Sequence, residues 1–187
     1  MFVRRIEDEQ LAQVSYLIGC QRTGEAIVID PERDIDRYID LAKQQGLRIV
    51  AATETHIHAD FLSGLREFGE HNDTLLLVSG EGGADWTPGW LDQHSSGSSY
   101  NHRLIMDGET FAIGNIEFKV VHTPGHTPEH VSFLVTDHGG GADSPMRSSP
   151  AISCSLAISD VLTCSRAPRA RWARWSPRQR SFFRASS

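Results

Sequence analysis

The chain has 187 residues, of which 39% are hydrophobic, and this length and composition fit one ordinary globular domain. It holds no apolar run of transmembrane length, and its acidic start lacks the apolar stretch of a signal peptide, so we expect a soluble, cytoplasmic protein without a membrane partner. The 3 cysteines show no CxxC spacing, which argues against a disulfide framework and against a thiolate zinc site.

The net charge of −6 conceals two regions of opposite sign. Residues 1–146 carry 10 Lys and Arg against 23 Asp and Glu, a net −13, whereas residues 147–187 carry 8 Arg against 1 acid, Asp160, a net +7. An acidic body and a basic, serine-rich tail are different kinds of sequence. We therefore place a domain boundary near Met146 and expect the tail beyond it to be disordered, apart from a short apolar segment.

The first part of the chain is predicted to form a strand pair, a helix and a further strand. Rough apolar alternation over 13–19 and an apolar run over 25–30 indicate two paired strands. Apolar side chains recur at near-helical spacing over 34–45, which predicts a helix. The apolar stretch 47–53 then predicts a buried strand.

The rest of the acidic region is predicted to add a helix, a long loop and four strands. The spacing of Leu62, Leu65 and Phe68 predicts a helix over 60–69 with these side chains facing inward. The stretch 80–102, rich in Gly, Ser and Trp, is typical of a functional loop. Strands are predicted over 75–78, 110–113, 116–121 and 130–136, with a hairpin turn at Gly114 and Asn115. A layered α/β sandwich suits this pattern better than a repeat array.

The sequence THIHAD places His56, His58 and Asp60 in a loop directly after a predicted buried strand. Neutral imidazole is the commonest metal ligand, and a strand end holds such side chains rigidly. Because residues i and i+2 of an extended segment point to opposite faces, the loop must bend if both histidines bind one ion. Asp60 could bind a second metal or orient a ligand. The alternative is a polar surface loop without a metal.

A second histidine motif, HTPGHTPEH, favours the metal site over that alternative. It follows another predicted strand, and its prolines and glycine fix a tight turn that aims His126 outward. His122 and His130 lie at strand edges, where core or hydrogen-bonding roles are at least as expected as metal binding.

Together these residues resemble the metallo-β-lactamase superfamily, whose HxHxD loop and later turn histidine match His56, His58, Asp60 and His126. More narrowly, THIHADFLSG, SGEGGADW and HTPGHTPEHVSFLVTD resemble the persulfide dioxygenase branch, including its rhodanese-fused members. The resemblance covers residues 1–146. It implies an αββα sandwich, truncated on its C-terminal side, with the metal at one edge of the β-layers.

The resemblance also implies a metal and a reaction. Glyoxalase II and many hydrolases of the family have a histidine ligand for a second zinc directly after the aspartate, where this chain has Phe61. This substitution favours a single ferrous iron, with nitrogens from His58 and His126, His56 close by, and Asp60 as a catalytic residue in the outer shell. The implied activity is oxidation of glutathione persulfide to sulfite. The alternatives are a zinc-dependent thioester hydrolase of the glyoxalase II type and an inactive, metal-binding remnant.

The tail departs from the family. The family's later metal-binding aspartate follows a glycine, whereas Asp160 follows Ser159, so the ligand role is not carried onto it. We hypothesise that 147–187 is a frame-shifted reading of the gene, and that loss of this carboxylate impairs the activity. Arginines and aromatic residues in the tail could bind nucleic acid, but no groove-forming fold surrounds them, so we expect no nucleic-acid partner. The sequence leaves the oligomeric state open.

Overall fold

Two β-sheets make up most of the protein. The computed structural model describes residues 1–138 except Gln10, Ala12 and Asp73, together with the backbone of 155–158 and 163–164. The first sheet has six strands in chain order: β1 Phe2–Asp8, β2 Gln13–Cys20, β3 Glu25–Ile29, β4 Arg48–Thr53, β5 Leu75–Ser79 and β6 His102–Ile105. Strands β1 to β3 pair antiparallel, and β3 to β6 pair parallel, so the carboxyl ends of β3, β4 and β5 lie at one edge.

The second sheet is antiparallel, with the strand order β11-β10-β9-β8-β7. Its strands are β7 Thr110–Ile113, β8 Ile116–His122, β9 Val131–Asp137, β10 Ser155–Ile158 and β11 Thr163–Cys164. Strand β10 lies within the apolar part of the basic tail. The predicted boundary at Met146, most of the tail and Asp160 fall outside the described residues. The domain boundary and the disorder of the tail therefore stay predictions.

Both helices pack on the outer face of the first sheet. Helix α1 covers Asp36–Gln44 and helix α2 covers Leu65–Asn72. One core lies between these helices and the sheet, around Tyr38, Phe68 and Leu76. The layered α/β architecture predicted from the sequence is therefore confirmed, with helix, sheet and sheet layers in the described residues. In this part of the chain, neither helix is long and apolar enough to cross a membrane.

The second core lies between the two sheets. Because side chains alternate along a strand, β2 sends Leu17 to the helices and Tyr16, Ile18 and Cys20 to the opposite sheet. The side chains of the second sheet that face this core are all apolar: Phe111, Ile113, Ile116, Phe118, Val120, Val131, Phe133 and Val135. Burial of these two apolar faces provides the main driving force that holds the sheets together.

The helix predicted over 60–69 begins later than expected, and one of its predicted core residues is exposed. Leu65 and Phe68 are buried, but Leu62 is 67% exposed. The reason is that the chain first runs against the segment after β3: Ser63 forms a β-bridge with Glu32, and the Gly64 amide donates to the carbonyl of Pro31. These tertiary contacts hold the chain out of helical conformation until Leu65.

The loop 80–102 contains two short 3-10 helices, Ala84–Trp86 and Gly89–Asp92, and is fastened to α2 through Glu70. The Ser95 hydroxyl donates to Glu70 at 2.6 Å, and the Tyr100 hydroxyl donates to its other oxygen. The Arg66 guanidinium in turn donates to the Tyr100 hydroxyl at 3.0 Å. The later part of the loop is therefore ordered by a polar network.

This network predicts an acid-sensitive contribution to stability. The hydrogen bonds from Ser95 and then Tyr100 lower the pKa of Glu70 from 4.5 to about 2. Because the folded pKa is depressed, the contribution is present above about pH 4.5 and is lost as the pH falls towards 2. We expect Glu70→Gln to be less stable than the parent at pH 6, with a smaller difference at pH 3. Urea denaturation at both pH values measures this, with Glu9→Gln as an exposed control; an unchanged difference would contradict it.

Candidate metal centre

The predicted metal-binding residues meet at one edge of the sandwich. The loop with His56 and His58 follows the carboxyl end of β4, next to Asp30 at the end of β3. The connection from β8 to β9 carries His126 and approaches from the second sheet. A hydrogen bond of 2.8 Å from the Val131 amide to the Thr55 carbonyl joins the two segments. These histidines therefore follow strand ends, and their binding of a metal stays a prediction.

His56 lies at the centre of a cluster of imidazole rings. Its ring centroid is 4.1 Å from that of His58, 4.8 Å from that of His126 and 5.2 Å from that of His130. The loop therefore bends as a shared site requires. His56 is 6% exposed, whereas His126 is exposed to solvent, as its turn predicted. The resemblance implied only that His56 lies close to the other two histidines, whereas in the structure its ring contacts three other imidazoles. Solvent reaches the cluster at His126.

Asp30, which the sequence reasoning did not single out, organises the first histidine motif. This residue is 3% exposed and has a φ of 53°, a left-handed conformation that aspartate tolerates better than most residues. Its Oδ1 accepts from the Thr55 amide at 2.6 Å and lies 3.1 Å from Nε2 of His58, and its Oδ2 accepts from the Thr55 hydroxyl at 3.0 Å. One buried carboxylate therefore holds both the backbone and a side chain of the motif.

These bonds assign the protonated nitrogen of two histidines. A carboxylate only accepts hydrogen bonds, so Nε2 of His58 donates to Asp30, and in the neutral imidazole Nδ1 then carries no proton. The Thr55 hydroxyl donates its hydrogen to Asp30, so it accepts a hydrogen bond from Nδ1 of His56, 3.0 Å away, and in the neutral imidazole Nε2 of His56 then carries no proton. Outer-shell bonds of this kind orient metal-binding imidazoles and fix their tautomers.

The other histidines of the second motif have hydrogen-bonding roles, as expected from their places at strand edges. Nε2 of His122 donates to the carbonyl of Pro128 at 2.7 Å. His130 is buried, and its Nδ1 lies 2.8 Å from the Thr123 hydroxyl. The Thr123 amide donates to the carbonyl of His130 at 2.9 Å, closing the segment that presents His126. His122 and His130 thus make hydrogen bonds, whereas His126 lies exposed in the turn between them.

Two glutamates near the cluster were also missed by the sequence reasoning. Desolvation raises the pKa of Glu54 to about 7, opposed by a hydrogen bond from Ser63 and by His58. Glu129 is 1% exposed, and its Oε1 accepts from the Ile57 amide at 2.8 Å. Glutamates flanking a histidine motif give no distinctive sequence signal, because most glutamates lie on the surface.

Asp60 and Phe61 occupy different positions relative to the cluster. Asp60 is exposed, and among the described residues no hydrogen bond joins it to a histidine, so its catalytic role stays a prediction. The Phe61 ring packs on that of His58, with centroids 4.3 Å apart. A hydrocarbon ring, which offers no metal-binding nitrogen, therefore lies beside His58.

The cluster suits a metal ion in its donor type but does not form a complete ligand set. Unprotonated imidazole nitrogens, fixed by outer-shell bonds, are good donors for iron or zinc. Within the described part of the chain, however, no three His, Cys, Asp or Glu side chains are arranged so as to hold a metal ion. A bound metal therefore requires further adjustment of these side chains or another ligand.

Comparison with known proteins agrees with the fold. A model of the metallo-beta-lactamase superfamily matches residues 9–141. The persulfide dioxygenase ETHE1 of Homo sapiens is 31% identical over 140 residues, covering 74% of this chain and 49% of that protein. A hydroxyacylglutathione hydrolase of Xylella fastidiosa (strain 9a5c) is 32% identical over 114 residues, covering 61% of this chain and 38% of that protein.

A solved structure extends this likeness. The metallo-beta-lactamase from Staphylococcus aureus subsp. aureus COL has a TM-score of 0.66 and 46% identity, covering 78% of this chain and 41% of that chain. The chain spans about half the length, or less, of the curated relatives it matches. With the family model matching most of the chain and the two-sheet fold in place, the chain belongs to the metallo-β-lactamase superfamily.

Proposed function

We propose that this chain binds a single ferrous iron through His56, His58 and His126 and is a persulfide dioxygenase-like protein whose substrate is glutathione persulfide. The observation that carries the proposal is the imidazole cluster around His56, with Phe61 packed on His58. Family members include metal-dependent dioxygenases and hydrolases. The likeness to the human persulfide dioxygenase covers 74% of the chain, against 61% for the hydrolase.

In the proposed reaction the terminal sulfur of the persulfide is oxidised by molecular oxygen, which is reduced and supplies two of the three sulfite oxygens. Water supplies the third oxygen, the S–S bond breaks, glutathione leaves as the thiol, and two protons are released with the sulfite. A ferrous ion, when bound, supplies the electrons that activate oxygen. Asp30 and Thr55 keep unprotonated nitrogens on His56 and His58. The exposed side of His126 gives a small thiol access. Because the family's later carboxylate ligand is lacking, we expect weaker iron binding and impaired turnover.

The test is sulfite formation from glutathione persulfide by protein reconstituted with ferrous iron under anaerobic conditions and then exposed to oxygen. We expect sulfite to form, and to fall at least about 100-fold in His126→Ala, because a ligand is lost. His138→Ala is the matched control, since His138 is exposed at the far end of β9. Equal sulfite yields from the parent and His126→Ala would contradict the proposal.

The second candidate is a zinc-dependent thioester hydrolase, favoured by the 32% identity to hydroxyacylglutathione hydrolase. Zinc would serve there by activating water as the nucleophile. Thioester turnover with zinc, combined with no sulfite formation with iron, would favour this candidate. Metal binding without either reaction would instead identify the chain as an inactive relative.

A further inference from the structure

Glu129 is a buried carboxylate that contacts both histidine motifs. It stands three residues after His126 and two residues before β9 begins, and it is 1% exposed. Its Oε1 accepts a hydrogen bond of 2.8 Å from the amide of Ile57, the residue between His56 and His58. The two residues are 72 positions apart in the chain, so this bond links separate elements of the fold.

The backbone of Glu129 is fixed as well. Its carbonyl accepts a hydrogen bond of 2.6 Å from the hydroxyl of Ser79, at the end of β5. The loop after β5 closes over it: a Cβ placed on Gly82 would lie 3.1 Å from Cβ of Glu129. Glu129 is therefore held in place by β5 while its side chain holds the loop after β4.

The second carboxylate oxygen of Glu129 has room for a small polar partner. Oε2 is buried and makes no hydrogen bond within the described residues. Glu129 also lines a cavity of about 10 Å³, together with Glu54, His56 and Ser79. This volume is about that needed for a single water molecule. A glutamine amide at this position could keep the bond to Ile57 and direct its NH₂ group to this cavity.

We propose that Glu129 is a positioning residue for the histidine cluster. Its hydrogen bond with the Ile57 amide holds His56 and His58 against the segment that carries His126. A hydrogen bond from a backbone amide to a carboxyl oxygen is strong enough for this role in a buried site, because water does not compete for it there. The part of the inference that concerns metal binding rests on the proposed function, whereas the hydrogen bond between Glu129 and Ile57 does not depend on it.

The experiment compares Glu129→Ala and Glu129→Gln with the parent, and uses Glu9→Ala, which removes an exposed glutamate on the surface, as the control. Two quantities are measured: hydrogen exchange of the Ile57 amide in metal-free protein by NMR, and the affinity for Co²⁺ from its visible absorption bands. In Glu129→Ala we expect about 10- to 100-fold faster exchange and about 10- to 100-fold weaker Co²⁺ binding. Glutamine retains an acceptor for Ile57, so Glu129→Gln should recover most of both.

Unchanged exchange of Ile57 in Glu129→Ala would overturn the inference, because the amide would then not depend on the carboxylate. Faster exchange with unchanged Co²⁺ affinity and spectrum would also overturn it, since the tie would not position the histidines. If the parent binds no Co²⁺, the metal proposal fails, and the Ile57 exchange of the two variants alone decides whether Glu129 ties the loop.

Discussion

Replacing His56 by alanine is expected to abolish stoichiometric metal binding. Its ring contacts both other proposed ligands, so its removal takes away a donor and the packing partner of His58 and His126. In protein reconstituted with ferrous iron, we expect about one iron per chain in the parent and loss in His56→Ala, His58→Ala and His126→Ala, with affinity falling more than about 100-fold. Elemental analysis after desalting measures the metal content.

The control for this series is His138→Ala, since His138 is exposed, contacts Glu117 on the surface, and follows the end of β9 opposite to the end next to His130. It should keep the parent's iron content. Retention of iron in all three cluster variants would contradict the assignment. Iron absent from folded parent protein would show that three imidazoles without the family's carboxylate are insufficient, in agreement with the lack of a complete ligand set in the described residues.

The sequence predicted the strands that lead into the site because their apolar runs are long and closed by clear turn signals. Strands β2, β3, β4 and β5 and the hairpin at Gly114 follow the predictions closely. Strand β1 was not assigned, because its charged side chains face solvent and hide the alternation. The sequence does not predict strand β6, which lies at the end of the predicted loop 80–102, for a similar reason: two of its four side chains are exposed.

The candidate site was predictable where histidines follow strands and unpredictable where the chemistry depends on tertiary contact. His56, His58 and His126 stood out by type and position, and the structure brings their rings together. Asp30 ends a strand before a proline, which reads as an ordinary turn aspartate. Its bonds to Thr55 and His58 span 25 and 28 residues, so their partners could not be read from local spacing.

Asp30→Ala is expected to destabilise the fold by roughly 3 to 5 kcal/mol, because several losses occur at one buried position. The Thr55 amide loses the acceptor 2.6 Å away, and the Thr55 hydroxyl and Nε2 of His58 lose theirs. Alanine must also adopt a φ of 53°, which adds about 1 to 2 kcal/mol. Urea denaturation of the metal-free protein measures the change, with Asp85→Ala as the exposed control.

The variant Asp30→Asn distinguishes the contribution of Asp30 to the stability of the fold from its effect on the tautomers of His56 and His58. Asparagine tolerates the left-handed conformation, and its carbonyl can still accept from the Thr55 amide, so we expect a smaller destabilisation, about 1 to 2 kcal/mol. Its NH₂ group, however, cannot accept a hydrogen bond from the Thr55 hydroxyl and would donate to it instead, so the hydrogen bond between this hydroxyl and Nδ1 of His56 changes direction. Nitrogen NMR of the imidazoles should then show a changed tautomer for His56 or His58. Parent-like tautomers in a folded Asp30→Asn protein would mean that other contacts fix these rings, and that Asp30 serves the backbone of Thr55 alone.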